Sequence, residues 1–273
     1  MTPLPFSRRR TLRALFAAAA IVGTPVRVAA LARNGGGDAP IIAGAADLQF
    51  ALEEIAAAFE VETGLPVKLS FGSSGNFARQ IRQGAPFQMY LSADEDYVLD
   101  LARGGFTRDE GRLYAVGRIV LVVPHGSPLR ADGSLGDLRA ALADGRVTRF
   151  AIANPEHAPY GKRAEEALRH AGLWDAVRPK LVLGENVSQA AQFATSANAQ
   201  GGIIAYSLAL APRVSALGAY ELIPAERHSP LRQRMVLLRN AGPTAERFYD
   251  YVRQPAARTI FRRYGFVLPG ETG

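Results

Sequence analysis

From residue 40 onward, short apolar runs alternate with longer segments whose apolar residues recur at helical spacing. The first run is bounded by small residues and predicts a buried strand, and the segment after it predicts an amphipathic helix. An alternating β-α-β-α-β order folds into a parallel sheet with right-handed crossovers. In this first set the predicted strands are 40–45, 67–71 and 89–92, and the predicted helices are 47–59, 76–82 and 95–103.

The most β-branched run of the chain, 118–124, begins a second alternating set. Its predicted helices are 135–143, 161–171 and 187–197, its strands are 149–153, 180–183 and 202–206, and a strand at 234–238 and helices at 244–252 and 256–264 close the chain. The pattern predicts two α/β lobes with a ligand cleft between them. We expect lobe 1 over 39–120, lobe 2 over 121–221 and a return to lobe 1 over 222–273.

The first 32 residues have the organisation of an export signal. Adjacent arginines at 8–10 precede a short apolar stretch, and small residues near position 30 suit a cleavage site. The apolar stretch is shorter than the ~20 residues that span a bilayer. The arginines resemble a twin-arginine signal, although a general secretory signal with an extra arginine fits as well. We therefore expect cleavage and a periplasmic location.

Composition excludes several function classes. The net charge is +7, but residues 1–32 contain five arginines and no acid, so the remainder has 27 basic and 25 acidic residues. This near balance leaves no basic stripe for nucleic acid. The chain has no cysteine, and its four histidines stand far apart, so thiolate chemistry is excluded and a metal site is not expected. We also expect no cofactor.

Small and polar residues mark four turns at which a predicted strand passes into a predicted helix. Such residues commonly cap helices, which explains any one turn without a ligand. The free N–H groups and the dipole of a helix N-terminus also bind anions, and four such turns in a two-lobed chain favour an anion site. The turns are 45–47, 72–76, 159–161 and 185–188.

Several motifs resemble the periplasmic molybdate-binding proteins of ABC importers, and the resemblance covers essentially all of 40–268. The most specific are a Ser-Ser turn, a Leu-Ser-Ala-Asp segment and a Pro-Glu-His-x-Pro turn. The matching stretches are 71–81, 84–87, 91–94, 154–161 and 261–266.

The resemblance implies a type II periplasmic-binding fold that closes on a tetrahedral oxyanion. In that family neutral hydroxyl and backbone N–H donors hold the anion. By position, Ser74 would donate its hydroxyl and its N–H, and Tyr160 and Val187 would donate backbone N–H groups from lobe 2. The implied partners are molybdate, or tungstate, and the permease of an ABC transporter, and we expect a monomer.

Two positions depart from the family pattern. A serine of the family falls on Asp47, where an ionised carboxylate would repel a dianion. Asp47 either turns away as a helix N-cap, leaving backbone N–H groups to bind, or indicates a different ligand. The family's tyrosine falls on Ala205, and Tyr206 would supply the missing hydroxyl only if the local turn rotates, because adjacent strand residues face opposite ways.

These observations predict an exported binding protein rather than an enzyme. The same receptor role for another ligand is the first alternative, with Asp47 as the discriminating residue. An exported enzyme such as a dehydratase is a weaker alternative, because a fold does not fix a function. It would need a general acid or base in the cleft, for which Asp47 and His157 are the candidates.

Overall fold

The computed structural model describes residues 39–196 and 198–271, so the predicted signal segment 1–32 lies outside the described residues. The strands of this part are β1 Ile41–Ala45, β2 Lys68–Gly72, β3 Phe87–Ser92, β4 Arg112–Gly117, β5 Ile119–Pro124, β6 Phe150–Ala153, β7 Leu181–Gly184, β8 Gly202–Ala205, β9 Gly218–Leu222 and β10 Leu231–Leu237. The helices are α1 Gln49–Thr63, α2 Ser74–Arg82, α3 Glu95–Arg103, α4 Gly136–Ala143, α5 Pro159–His170, α6 Trp174–Val177, α7 Val187–Thr195, α8 Tyr206–Ala209, α9 Pro212–Ser215, α10 Pro243–Val252 and α11 Pro255–Arg263. None of these helices is long and apolar enough to cross a membrane.

The strands form two five-stranded sheets, each covered by helices, which gives the two α/β lobes that the alternating pattern predicts. The first sheet has the order β2-β1-β3-β10-β4, and the second has the order β7-β6-β8-β5-β9. β1 lies parallel to both β2 and β3, and β6 lies parallel to β7 and β8. The carboxyl ends of β1, β2 and β3, and those of β6 and β7, therefore lie at one edge of their sheets, where ligands bind in open α/β folds.

The chain passes between the lobes twice. It leaves the first sheet after β4 and enters the second at β5, and it returns when β10 pairs antiparallel with β3 and β4. Lobe 1 is accordingly the part built on the first sheet, and lobe 2 is the part built on the second.

Apolar residues fill both faces of the lobe 1 sheet. Ile42 and Leu91 pack under α1, α10 and α11, whereas the adjacent residues Ala43 and Tyr90 pack under α2 and α3, as the two-residue period of a strand requires. The core of lobe 2 is continuous with Ala45 and Ala46 of lobe 1. The two lobes are thus in apolar contact where β1 ends.

Most predicted elements agree with the structure to within one or two residues, and the helix predicted at 95–103 agrees at both ends. Strands β4 and β9 were not predicted. β9 is an edge strand with three exposed residues, so it does not show the apolar run of a buried strand. β4 has only a four-residue apolar run, 113–116, behind its initial arginine. The strand predicted to reach Tyr206 ends at Ala205, because Tyr206 is already the first residue of α8.

Candidate functional site

The four turns that the sequence analysis singled out meet at one small pocket between the lobes. The pocket is small: its empty volume of about 190 Å³ includes space open to solvent, so it suits a single small ligand. Lobe 1 and lobe 2 each contribute the first turns of their helices. The lining residues are Ala45, Ala46, Asp47, Gly72, Ser73, Ser74, Ala93, Ala158, Pro159, Tyr160 and Val187.

Ser74 begins α2 and is fully buried. Its hydroxyl oxygen accepts the N–H of Ala93 at 3.0 Å, and its carbonyl accepts the hydroxyl of Tyr90 at 2.8 Å. Because the hydroxyl oxygen already serves as an acceptor, its hydrogen is free to be donated to a ligand. The preceding residue, Ser73, caps the helix by accepting the N–H of Asn76. Ser74 is therefore held rigidly, with donor capacity left over.

Tyr160 and Val187 bring backbone donors from lobe 2. Pro159 is the first residue of α5, Tyr160 is the second, and Val187 is the first residue of α7. N–H groups in a first helical turn have no acceptor within the helix. The N-cap of α5 is Ala158, whose side chain has no oxygen to cap these groups, so the N–H of Tyr160 is left for a ligand.

Asp47 is the one carboxylate among the described residues that line the pocket, and no lysine or arginine is among them. Its side chain is buried, with Oδ2 accepting the amide Nε2 of Gln233 at 2.7 Å and the hydroxyl of Tyr160 at 3.0 Å. The expectation that Asp47 turns away as an N-cap is therefore wrong. It lies inside a 3-10 turn, Ala46–Leu48, without a side-chain capping bond, because buried donors on β10 and α5 take up its carboxylate.

Burial controls the ionisation of Asp47. Loss of solvent raises the pKa of this carboxyl from its ordinary 3.8 to about 6, although the hydrogen bonds from Gln233 and Tyr160 act in the opposite direction. The charge of Asp47 in turn adds to the effect of burial in raising the pKa of Tyr160 and of the nearby Tyr114. The hydroxyl of Tyr114 donates to Oε1 of Gln233 at 2.7 Å. Asp47 is thus one member of a buried polar network that joins the two lobes.

Tyr206 does not reach the pocket, so its predicted ligand contact is withdrawn. Its N–H donates to the carbonyl of Arg118, and its ring packs against Tyr220 with the centroids 6.0 Å apart. The neighbouring Ser207 points to the site region instead, and its hydroxyl donates to the backbone carbonyl of Asp47 at 2.8 Å. The turn into α8 therefore sends the tyrosine away and brings a serine towards Asp47.

Direct contacts between the lobes close the pocket. The N–H of Gly75 donates to the carbonyl of His157 at 2.9 Å, and Ser73 Oγ lies 2.9 Å from Nδ1 of the same histidine. A buried ion pair joins Arg163 to Asp94 at 3.0 Å. Opposite these contacts, the hydroxyl of Ser188 donates to the carbonyl of Ala46 at 2.9 Å. The pocket is consequently enclosed by lobe 1 and lobe 2 together.

Gln233 and Ser207 were not predicted as site residues, because no local motif marks either of them. Gln233 stands between two arginines, Arg232 and Arg234, so the sequence gives no sign that its side chain is buried and needs a partner. In residues 39–196 and 198–271, no group of three or more histidine, aspartate or glutamate side chains is arranged to hold a metal ion.

Comparison with known proteins places this geometry in a family. Residues 40–267 match the family model described as bacterial extracellular solute-binding protein. The molybdate-binding protein ModA of Rhodobacter capsulatus is 35% identical over 230 residues, which are 83% of this chain and 87% of that protein. A putative ABC transporter substrate-binding lipoprotein of Bacillus subtilis is 30% identical over 83% of this chain and 85% of that protein.

A solved structure shows the same fold. The periplasmic molybdate-binding protein of Azotobacter vinelandii superimposes with a TM-score of 0.75 at 30% identity, covering 84% of this chain and 99% of that structure. The predicted two-lobed type II periplasmic-binding fold, with its pocket between the lobes, is thereby confirmed. The chain belongs to the family of bacterial extracellular solute-binding proteins.

Proposed function

We propose that this chain is the exported receptor of an ABC importer and that its ligand is molybdate, with tungstate as a close substitute. The observation that carries the proposal is the small enclosed pocket, in which helix N-termini from both lobes converge with no lysine or arginine among the described lining residues. Such a site offers N–H and O–H donors to a compact anion without a matching cation. The relatedness to molybdate-binding proteins of Rhodobacter capsulatus and Azotobacter vinelandii supports the identity of that anion.

In this proposal each lobe contributes donors with a defined role. Ser74 donates its hydroxyl and its N–H from lobe 1, and Tyr160 and Val187 donate their N–H groups from lobe 2. Because the donors lie on both lobes, the anion stabilises the closed arrangement, and the closed surface is what the permease recognises. Because helices fix the positions of these donors, an anion of matching size binds more tightly, which favours molybdate over the smaller sulfate.

We propose a binding role rather than catalysis. Both candidate groups of an enzyme have protein partners: Asp47 Oδ2 accepts two hydrogen bonds, and His157 contacts Ser73 and lies 3.5 Å from Glu185. We further propose that the protein acts as a monomer and that residues 1–32 direct its export, by the twin-arginine route.

Calorimetric titration of the purified protein with molybdate, tungstate and sulfate at pH 6 tests the proposal. We expect saturable binding of the first two anions and none of sulfate. Ser74→Ala removes one buried donor to a charged ligand, so we expect binding about 10- to 100-fold weaker. Ser215→Ala, at the end of α9 and outside the pocket lining, is the matched control and will bind as the wild type does. Absence of molybdate binding would contradict the assignment.

A different ligand in the same receptor role is the second candidate, and Asp47 is the observation that favours it. A carboxylate beside the donors suits a ligand that brings a hydrogen-bond donor of its own. Asp47→Ser distinguishes the two: it improves molybdate affinity if the carboxylate only repels the anion, and it abolishes binding of a ligand that needs the carboxylate.

A further inference from the structure

One carboxylate oxygen in the pocket has no protein partner. Asp47 is 1% exposed and lines the pocket, and its Oδ2 accepts both hydrogen bonds of the network, from Gln233 and Tyr160. The other oxygen, Oδ1, is buried and has no hydrogen-bond partner among the described residues. Buried polar atoms are nearly always paired, so an unpaired one at a ligand pocket indicates a partner that arrives with the ligand.

The groups around Asp47 do not neutralise its charge. The titratable groups that face it are the hydroxyls of Tyr160 on α5 and Tyr114 on β4. The other elements at this place present neutral side chains: Val187 on α7, Ser207 on α8 and Gln233 on β10. Charged groups on these elements, or just before them in the chain, pair with other residues. Arg163 pairs with Asp94 and Glu166, Arg234 pairs with Glu95, and His157 and Glu185 lie together beside Ser73.

An ionised Asp47 and a dianion would therefore share an enclosed space without a cation. Two negative charges in one small pocket repel each other strongly when water is excluded. A single proton between them is the simplest species that removes this repulsion. A proton on Oδ1 turns the unpaired acceptor into a donor, while Oδ2 continues to accept from Gln233 and Tyr160. The existing network needs no rearrangement to accept this proton.

We propose that this chain binds its oxyanion together with one proton, which is held between Oδ1 of Asp47 and an oxygen of the anion. The inference rests on the proposed function and specifies the form in which the ligand is held. Above the pH at which the free carboxyl ionises, one proton is taken up from solvent for each anion bound. Below that pH the proton is already on Asp47, and binding takes up none.

The ionisation of the ligand-free site sets the working range. Burial raises the pKa of Asp47 to about 6, and a bound dianion raises it further. If only the protonated form binds, affinity falls tenfold for each pH unit well above 6, by linkage. Between pH 6 and pH 8 the expected loss is ~50-fold. The receptor is accordingly most effective in mildly acidic surroundings.

Calorimetry of molybdate binding at pH 6 and pH 8, repeated in two buffers that differ in ionisation enthalpy, measures both the affinity and the number of protons taken up. For the wild type we expect an uptake close to one proton at pH 8 and a dissociation constant ~50-fold higher than at pH 6. Asp47→Asn imitates the protonated carboxyl, since its amide donates while its oxygen accepts from Gln233 and Tyr160. We expect this variant to take up no proton and to bind equally at both pH values. Asp47→Ser is a second uncharged variant in case the first does not fold.

Two further outcomes separate this inference from the proposed function. His157→Gln removes the imidazole beside Ser73, and this variant will keep the proton uptake if Asp47 is its source. Wild-type binding of molybdate without proton uptake at pH 8, or uptake that persists in Asp47→Asn, overturns the inference and leaves the receptor role intact. Failure to bind molybdate at pH 6 as well as at pH 8 contradicts the proposed function itself.

Discussion

Replacing Gly75 by alanine separates closure of the lobes from the groups that hold the ligand. Gly75 lies in the first turn of α2 in lobe 1, and a Cβ added there would lie 2.7 Å from the carbonyl oxygen of His157 in lobe 2. Ordinary contact begins near 3.4 Å, so the two backbones would have to separate by roughly 0.7 Å at this point. The carbonyl oxygen belongs to the backbone and the Cβ is bonded directly to it, so neither can move aside as the end of a flexible side chain does.

The expected magnitude follows from the two interactions that the methyl group disturbs. The hydrogen bond from Gly75 N–H to His157 is 2.9 Å long, and such a bond contributes about 0.5–1.5 kcal/mol. Overpacking of a close contact costs about 1–3 kcal/mol. Together they disfavour the closed state by about 1.5–4.5 kcal/mol, so we expect molybdate affinity to fall by ~10- to ~2,000-fold.

Calorimetric titration measures the affinity, and small-angle X-ray scattering with and without the anion measures compaction of the protein. Gly242→Ala is the matched control, because its added Cβ would meet no atom closer than 3.5 Å. We expect the control to bind and compact normally, and both variants to unfold at temperatures close to that of the wild type. A Gly75→Ala protein with wild-type affinity would refute the reasoning that backbone contact between the lobes holds the pocket closed.

Three further substitutions test the buried network. Asp47→Asn will make the ligand-free protein more stable by ~3 kcal/mol at pH 7.5. Burial raises the pKa of the Asp47 carboxyl to about 6, so the wild type loses stability as this group ionises with rising pH. The gain will vanish below pH 4, and urea unfolding at both pH values measures it. Gln233→Leu removes the amide that donates to the Asp47 carboxylate at 2.7 Å, so we expect the free energy of unfolding to fall by about 1.5–3 kcal/mol at pH 7.5 and by less at pH 4.5. Equal losses at the two pH values would contradict an ionised Asp47 as the acceptor. Tyr90→Phe leaves the Ser74 carbonyl without its donor, and we expect thermal unfolding to show a loss of about 1–3 kcal/mol.

Local patterns were sufficient to predict most of the fold. Helices such as α3 and strands such as β5 carry their periodicity and end signals within a few residues, so one sequence is enough to find them. The four turns at the pocket were found for the same reason, because small and capping residues stand at each of them. Within each lobe the parallel strands bring two of these turns to one edge of the sheet, and contact between the lobes brings the two pairs together.

The orientation of Asp47 was beyond local reasoning. Its two donors, Tyr160 and Gln233, are 113 and 186 residues away along the chain, and their distances depend on how the lobes pack. A capping role was the natural local prediction for an aspartate at a helix start, and the tertiary network overrode it. Tyr206 failed as a site residue for a related reason, since the residue at which β8 passes into α8 decides the direction of its ring.

The most direct test of the central claim is a crystal structure of the protein grown with molybdate, in which anomalous scattering locates the molybdenum atom. We predict one strong peak in the pocket between the lobes, with anion oxygens about 2.7–3.2 Å from the N–H groups of Ser74, Tyr160 and Val187. A peak outside this pocket, or an empty pocket in a protein that binds molybdate in solution, would contradict the account.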